Sequence, residues 1–424
     1  MPGRGRGMAP LNSAPIHPYR RSFMASFDTD AIAAKRVFEV PFSGIRKVFD
    51  KVNALVAEGR DVIHWQIGRS DFDTPAHIKA GAAESLERGD VHYAPSMGVP
   101  PLRKAIAART EIDTGVEVQW DTQTIVMAGA NEGILCAVMA FVNPGDEVII
   151  PDPNWHHYKS IVSLAGGVAV EVATKEENDF ALLAEDVEKV ITPRTKIICI
   201  TSPSNPTGTT VPESELAKLA ELAKKHNLLV LSDEIYARIY HEGDCAPSIY
   251  SQPGMAERTI IINGFSKVFS MDGWRLGWTI ASPELTRHLL RVRQYTTVCV
   301  NTFIQHGAAK GLTEDQGPID EMLNAFTERS KVIYEGLRSI EGMTVAKPTG
   351  AFYAFPNVKN FGESSQEVAD YLLGEHAIAT IAGSVFGPAG EGYIRIAYSC
   401  SKEDCERGVE RLASALEAKN KAGA

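Results

Sequence analysis

Residues 263–278 read "NGFSKVFSMDGWRLGW". They follow "TIII" at 259–262, a β-branched run that predicts a buried strand. One lysine, Lys267, stands among apolar and small residues, and Arg275 comes eight positions later. A lone lysine is usually a solvated charge. Here it falls just past a predicted strand, at the carboxyl edge of the sheet which that strand joins. Ligands of open α/β sheets bind at that edge.

The same pattern recurs on both sides. "TIVMAG" precedes "NEGILCAVMAFV", and "DEVIIP" precedes "NWHHYKSIVSLAG". "TKIICITSP" leads to "PESELAKLAELAKKHN" and then "LLVLSDE". Pro212 opens the middle helix, whose Leu216, Leu219, Ala220, Leu222 and Ala223 share one face. Apolar strands alternating with helices predict an α/β fold, with a mainly parallel sheet covered on both sides. After about residue 320 long helical stretches alternate with "GMTVAKP", "GAFYAFPNV" and "GYIRIAYS", which reads as a smaller α+β domain. The predicted division is an N-terminal extension at 1–33, part of the small domain at 34–60, a large domain at 61–318 and the rest of the small domain at 319–424.

The 424 residues are 44% hydrophobic, enough for two lobes. A net charge of −10 gives no global basic field for nucleic acid. No apolar run approaches the ~20 residues of a membrane span. The six cysteines are scattered without a CxxC pair, which favours reduced, mostly buried thiols, with Cys199 in the core. Residues 1–27 hold four arginines and no acid. They read as an organelle transit peptide, or as a disordered extension with translation starting at Met24. The expected location is cytoplasmic unless that segment directs the chain elsewhere.

Several polar residues fall past predicted strand ends. Asn205 opens "NPTG", Asp233 ends "LLVLSD", Tyr236 follows one short turn later, and Lys267 follows "TIIINGFS". Each has a bland reading alone, as turn former, helix cap or surface charge. Together they put an amine, an acid, a phenol and an amide on one edge. Pyridoxal phosphate needs that set. A lysine forms a Schiff base with its aldehyde, and an acid keeps its pyridinium nitrogen protonated. Arg275 suits its phosphate through a bidentate fork.

"SPSNPTG", "SDEIYARIY", "FSKVFSMDGWRLGW" and "YIRIAYS", in this order and spacing, resemble the class I/II aminotransferases of the aspartate aminotransferase fold, the fold-type I pyridoxal phosphate enzymes. The resemblance runs from about Val40 to near the C-terminus. It implies that Lys267 is the Schiff-base lysine and proton shuttle, and that Asp233 is the pyridinium partner. Asn205 and Tyr236 would contact the ring oxygen, and Arg275 the phosphate. Arg395 would hold the substrate carboxylate. The turn at Ala130 and Asn131 would bind phosphate, Trp155 would stack on the ring, and the Gly68 loop would cover the substrate. Tyr93 resembles a tyrosine that reaches the neighbouring subunit's phosphate, which implies a homodimer with shared sites. His156 and His157 are adjacent without a Cys or Asp partner nearby, so no metal site is expected.

Two departures bear on specificity. The loop reads Gly68-Arg69-Ser70-Asp71-Phe72 where the family commonly has Gly-x-Pro-Asp-Phe, and the added charge of Arg69 either meets a substrate group or points to solvent. "TTVCVNTF" carries no arginine where dicarboxylate-specific relatives often have one. Gly264 also stands where some relatives have a phosphate-binding serine. The expected activity is amino transfer from an amino acid to a 2-oxo acid, 2-oxoglutarate or pyruvate, with neutral donors broadly accepted. A β- or γ-lyase on the same scaffold is the alternative. A cofactor-binding regulator is disfavoured, because the segment before Val40 is too short for a helix-turn-helix.

Overall fold

The computed structural model describes residues 28–42 and 44–423. The expectations for residues 1–27, including a start at Met24, lie outside the described residues. In chain order the strands are β1 (Ile63–His64), β2 (Thr124–Met127), β3 (Glu147–Asp152), β4 (Val168–Ala173), β5 (Thr195–Thr201), β6 (Leu229–Asp233), β7 (Thr259–Gly264), β8 (Gly277–Ile280), β9 (Tyr353–Ala354), β10 (Ile378–Ala379), β11 (Ile381–Ala382) and β12 (Ile394–Ala397). The longer helices are α1 (Gly44–Ala57), α2 (Ala76–Glu87), α3 (Pro100–Thr114), α4 (Ala130–Phe141), α5 (His157–Leu164), α6 (Glu213–Lys225), α7 (Pro283–Arg293), α8 (Thr302–Thr313), α9 (Gly317–Arg338), α10 (Ser365–His376) and α11 (Lys402–Gly423).

Seven strands form one sheet in the order β2-β8-β7-β6-β5-β3-β4, and β8 alone runs against the rest. This is the expected mainly parallel α/β architecture. Both faces are apolar, because successive side chains of a strand point to opposite sides. Ile197 and Cys199 of β5 join the core under α4, α5 and α7. Ile198 and Ile200 join the core under α6. There the predicted stripe of Leu216, Leu219, Ala220, Leu222 and Ala223 is buried. Each leucine so buried contributes roughly 2 kcal/mol.

Strand order reverses between β3 and β5. The chain leaves β3 for the outer strand β4, then returns past β3 to β5, β6 and β7. The carboxyl ends of β3, β5, β6 and β7 therefore open onto one crevice at the switch point. The antiparallel sheet β11-β12-β9 carries Arg395. β1 does not join the large sheet but pairs in parallel with β10, which brings the segment after Ile63 beside the C-terminal third of the chain. All six cysteines are free, with Cys136, Cys199 and Cys405 buried.

Helices α2 and α8 approach closely through glycines. A Cβ on Gly307 would lie 2.6 Å from the Ile78 carbonyl oxygen and 3.0 Å from the Ala82 nitrogen. In an open helix Gly→Ala gains about 1 kcal/mol. At this contact the backbone cannot yield without parting the helices, and overpacking costs about 1–3 kcal/mol. Gly307→Ala should therefore destabilise the protein by about 1 kcal/mol in denaturant unfolding. A stabilised variant would show that the contact is loose.

Candidate active site

A cavity of about 270 Å³ opens at the switch point. Gly68, Ala130, Asn131, Trp155, Asn205, Asp233, Tyr236, Lys267, Arg275 and Arg395 all line it. Tyr93 does not. It is 88% exposed and lies beside Val91, Cys299 and Phe303. Arg69 is exposed and does not line the cavity either.

Asp233 ends β6 and is 3% exposed. The Tyr158 hydroxyl donates to one carboxylate oxygen and the Ile235 N–H to the other at 3.2 Å. Thr201 in turn donates to the Tyr158 hydroxyl at 2.9 Å. Burial pushes the Asp233 carboxyl up to about 6, against the opposing pull of Tyr158, Ile235 and the Lys267 charge. Lys267 follows β7, between the buried Phe265 and Val268. Its Nζ donates to the Gly68 carbonyl at 2.6 Å and lies 5.7 Å from the ring centres of Tyr236 and Phe352.

Arg395 sits on β12 and is 2% exposed. It donates to Asn205 Oδ1 at 3.1 Å and to the Gln66 carbonyl at 2.8 Å, while its Nε has no partner among the described residues. Tyr353 and Phe386 flank the guanidinium at 4.7 and 5.0 Å. No carboxylate pairs with it among the described residues. A buried cation held only by neutral acceptors favours an anion in the cavity.

The far end is a cradle around the start of α4. A Cβ on Gly129 would meet Arg275 Nη2 at 2.8 Å, and one on Gly277 would meet the Ala130 nitrogen at 2.7 Å. Gly129 also has φ +79°, which only glycine adopts readily. Helix N–H groups and a guanidinium thus converge where an anion is favoured. Glu132 anchors this turn by accepting from the Ala128 N–H at 2.6 Å and from Thr296 and Thr297. Gly264 packs 3.0 Å (as Cβ) from the Leu276 carbonyl, whereas Ser266 lines the cavity.

Trp155 stacks on His157 with centroids 3.9 Å apart and an 11° tilt. Burial holds the His157 imidazole down at about 4. The described residues contain no cluster of His, Cys, Asp and Glu able to hold a metal.

Sequence reading missed two tyrosines. Tyr158 lies three positions after Trp155, and that helical spacing was the available signal. Tyr353 looks like a core aromatic in "GAFYAFP", yet its hydroxyl pairs with that of Tyr236 at 2.9 Å in the cavity. A Cβ on Gly208 of "NPTG" would lie 1.9 Å from the Tyr353 carbonyl, so that glycine permits the approach of the two segments.

The profile of the family described as "Aminotransferase class I and II" matches residues 60–412. The chain is 41% identical to an aspartate aminotransferase of Pyrococcus abyssi, over 89% of this chain and 96% of that one. It is 40% identical to aromatic-amino-acid aminotransferase 2 of Thermococcus litoralis, with the same coverage. The structure of the Thermus thermophilus aspartate aminotransferase with maleate superposes with a TM-score of 0.85 at 33% identity, over 90% of this chain and 99% of that one. The chain therefore belongs to the class I and II aminotransferase family and is a pyridoxal phosphate-dependent aminotransferase.

Proposed function

We propose that the cavity is the transamination site and that Lys267 is the residue that carries the cofactor. The observation that carries this reading is a buried acid, a half-buried lysine and a buried, carboxylate-free arginine in one cavity. Bound there, pyridoxal phosphate supplies an aldehyde for the donor's amino group and a ring that accepts the electron pair left when the Cα–H bond breaks. The donor set fits it. The cradle of Ala130, Asn131 and Arg275 suits a phosphate, and enclosed Asp233 suits a protonated ring nitrogen.

In this reading Arg395 fixes the donor's carboxylate, with Asn205 holding the guanidinium in place. Lys267 Nζ takes the proton from the donor's Cα while the Gly68 carbonyl orients it. Tyr236, oriented by Tyr353, donates toward the ring oxygen, and Trp155 closes one face. The second 2-oxo acid, 2-oxoglutarate or pyruvate, is held by the same arginine. Exposed Tyr93, outside its own chain's cavity, is assigned to the partner subunit's site, which makes the enzyme a homodimer. The domain division at 61–318 belongs to the same reading, with the small domain built from 34–60 and 319–424.

Borohydride reduction followed by peptide mapping should place the cofactor on Lys267. Lys267→Ala should lose turnover, and mixing it with an inactive Tyr93 variant should restore part of the activity through hybrid dimers. Label on another lysine would overturn the first assignment. No recovery after verified subunit exchange would overturn the second.

Asp233→Asn should lower kcat about a thousandfold, roughly 4 kcal/mol. The carboxyl sits at about 6 in the fold against an ordinary 3.8, so the folded state favours its protonated form. Wild-type apoprotein therefore loses stability as pH rises from about 4 to 6, by about 3 kcal/mol in the limit. Asparagine does not titrate. The melting temperature of apo Asp233→Asn relative to wild type should thus climb between pH 4 and 7, and a flat difference would count against the burial argument.

Donor range follows from the walls. Ile45, Phe49 and Trp155 line the cavity, and among the described residues its only arginines are Arg275 and Arg395. Neutral and aromatic donors should reach kcat/KM values within about tenfold of aspartate. A preference for aspartate above about a thousandfold, or about 4 kcal/mol, would sink this reading.

A further inference from the structure

Each carbonyl of residues 66–68 accepts a hydrogen bond from a side chain, two of them from residues that line the cavity. Gln66 accepts from Arg395, Ile67 from Ser399 Oγ at 3.0 Å, and Gly68 from Lys267. These residues belong to no helix or strand, so hydrogen bonds such as these and the anchoring of the adjoining 69–74 segment hold them in place. The Asp71 carboxylate accepts from both terminal nitrogens of Arg329, at 2.7 and 2.9 Å. The Arg329 guanidinium lies over Phe72 and Phe326 at 5.3 and 5.5 Å, and those two rings meet edge to face. Met322, Phe326 and Arg329 are spaced i, i+4, i+7 and share one face of α9. Met322 Sδ accepts from Ser70 Oγ at 3.4 Å and from Ser270 Oγ at 3.3 Å. Thr74 Oγ1 donates to the Ser270 carbonyl at 2.6 Å. One helix face thus grips both the 68–74 loop and the turn after Lys267.

We propose that Asp71 and Arg329 form a positioning pair that fixes this loop on α9 and so holds the Gly68 carbonyl against Lys267 Nζ. Neither residue lines the cavity. An exposed ion pair would do little. Here the Arg329 side chain is 8% exposed, the fork is bidentate, and two rings confine it, although the Asp71 side chain keeps 33% exposure. The inference rests on Lys267 being the cofactor lysine.

The test uses holoenzyme of Asp71→Asn, Arg329→Gln, their double variant, and Arg329→Lys, which keeps charge but loses the fork. Each single change should lower kcat about tenfold while the donor KM stays within about threefold. The double variant should be no slower than the slower single, because either change breaks the same device. Visible circular dichroism of the bound cofactor should fall by about half at unchanged cofactor content, since the loop that borders the cavity at Gly68 is no longer fixed. Arg329→Lys should fall between wild type and Arg329→Gln. Unchanged kcat, additive losses, or losses that track melting temperature and cofactor content with the dichroism intact would each overturn the proposal. Borohydride mapping of the same samples separates the two failures: label on another lysine removes the premise, whereas label on Lys267 with unaltered kinetics removes only the pair.

Discussion

The site depends on an acid enclosed at the end of a central strand without a cation in hydrogen-bond reach among the described residues. Removing a carboxylate from water costs several kcal/mol, and one phenol and one backbone N–H offset only part of that. Burial pushes Asp233 up to about 6. Its neighbour Glu234 is pushed up to about 7, also by burial, but two seryl hydroxyls satisfy it and it does not line the cavity. Adjacent acids on one strand end thus meet different fates. One is satisfied by neighbouring hydroxyls, and the other borders the cavity.

Arg395 poses the complementary problem. Its charge is buried among two aromatic rings and neutral oxygens, and in the proposed reading the donor's carboxylate completes it. The cavity is bounded by opposite unmet charges, acid on the large sheet and arginine on the small one. In the proposed reading the two serve different partners, Asp233 the cofactor's ring and Arg395 the donor's carboxylate. Apolar Ile45 and Phe49 line the same cavity.

Much of this was legible because the governing signals are local. Apolar runs of four to seven residues mark the buried strands, and a polar residue just past such a run lands on the sheet's carboxyl edge. That logic reaches Asn205, Asp233 and Lys267 from sequence. It fails for Tyr353 and Tyr158, whose hydroxyls enter the site through tertiary packing while their neighbours read as ordinary core. It fails for Arg329 too, which looks like one charge in a mixed helix until Phe72 arrives from far along the chain. The pairing of β1 with β10 is equally invisible, since two-residue strands carry no periodicity.

The hydrogen bond from Arg395 to Gln66 closes a separation of 329 residues. The arginine lies near the end of the chain, and the carbonyl it meets near the beginning. During synthesis the large sheet can assemble while Arg395 has yet to leave the ribosome. The strands of the large sheet can therefore pair before the Arg395 side of the cavity is in place. A polypeptide cut short before β12 would lack Arg395 together with the middle strand of the sheet that carries it, and with them one wall of the cavity.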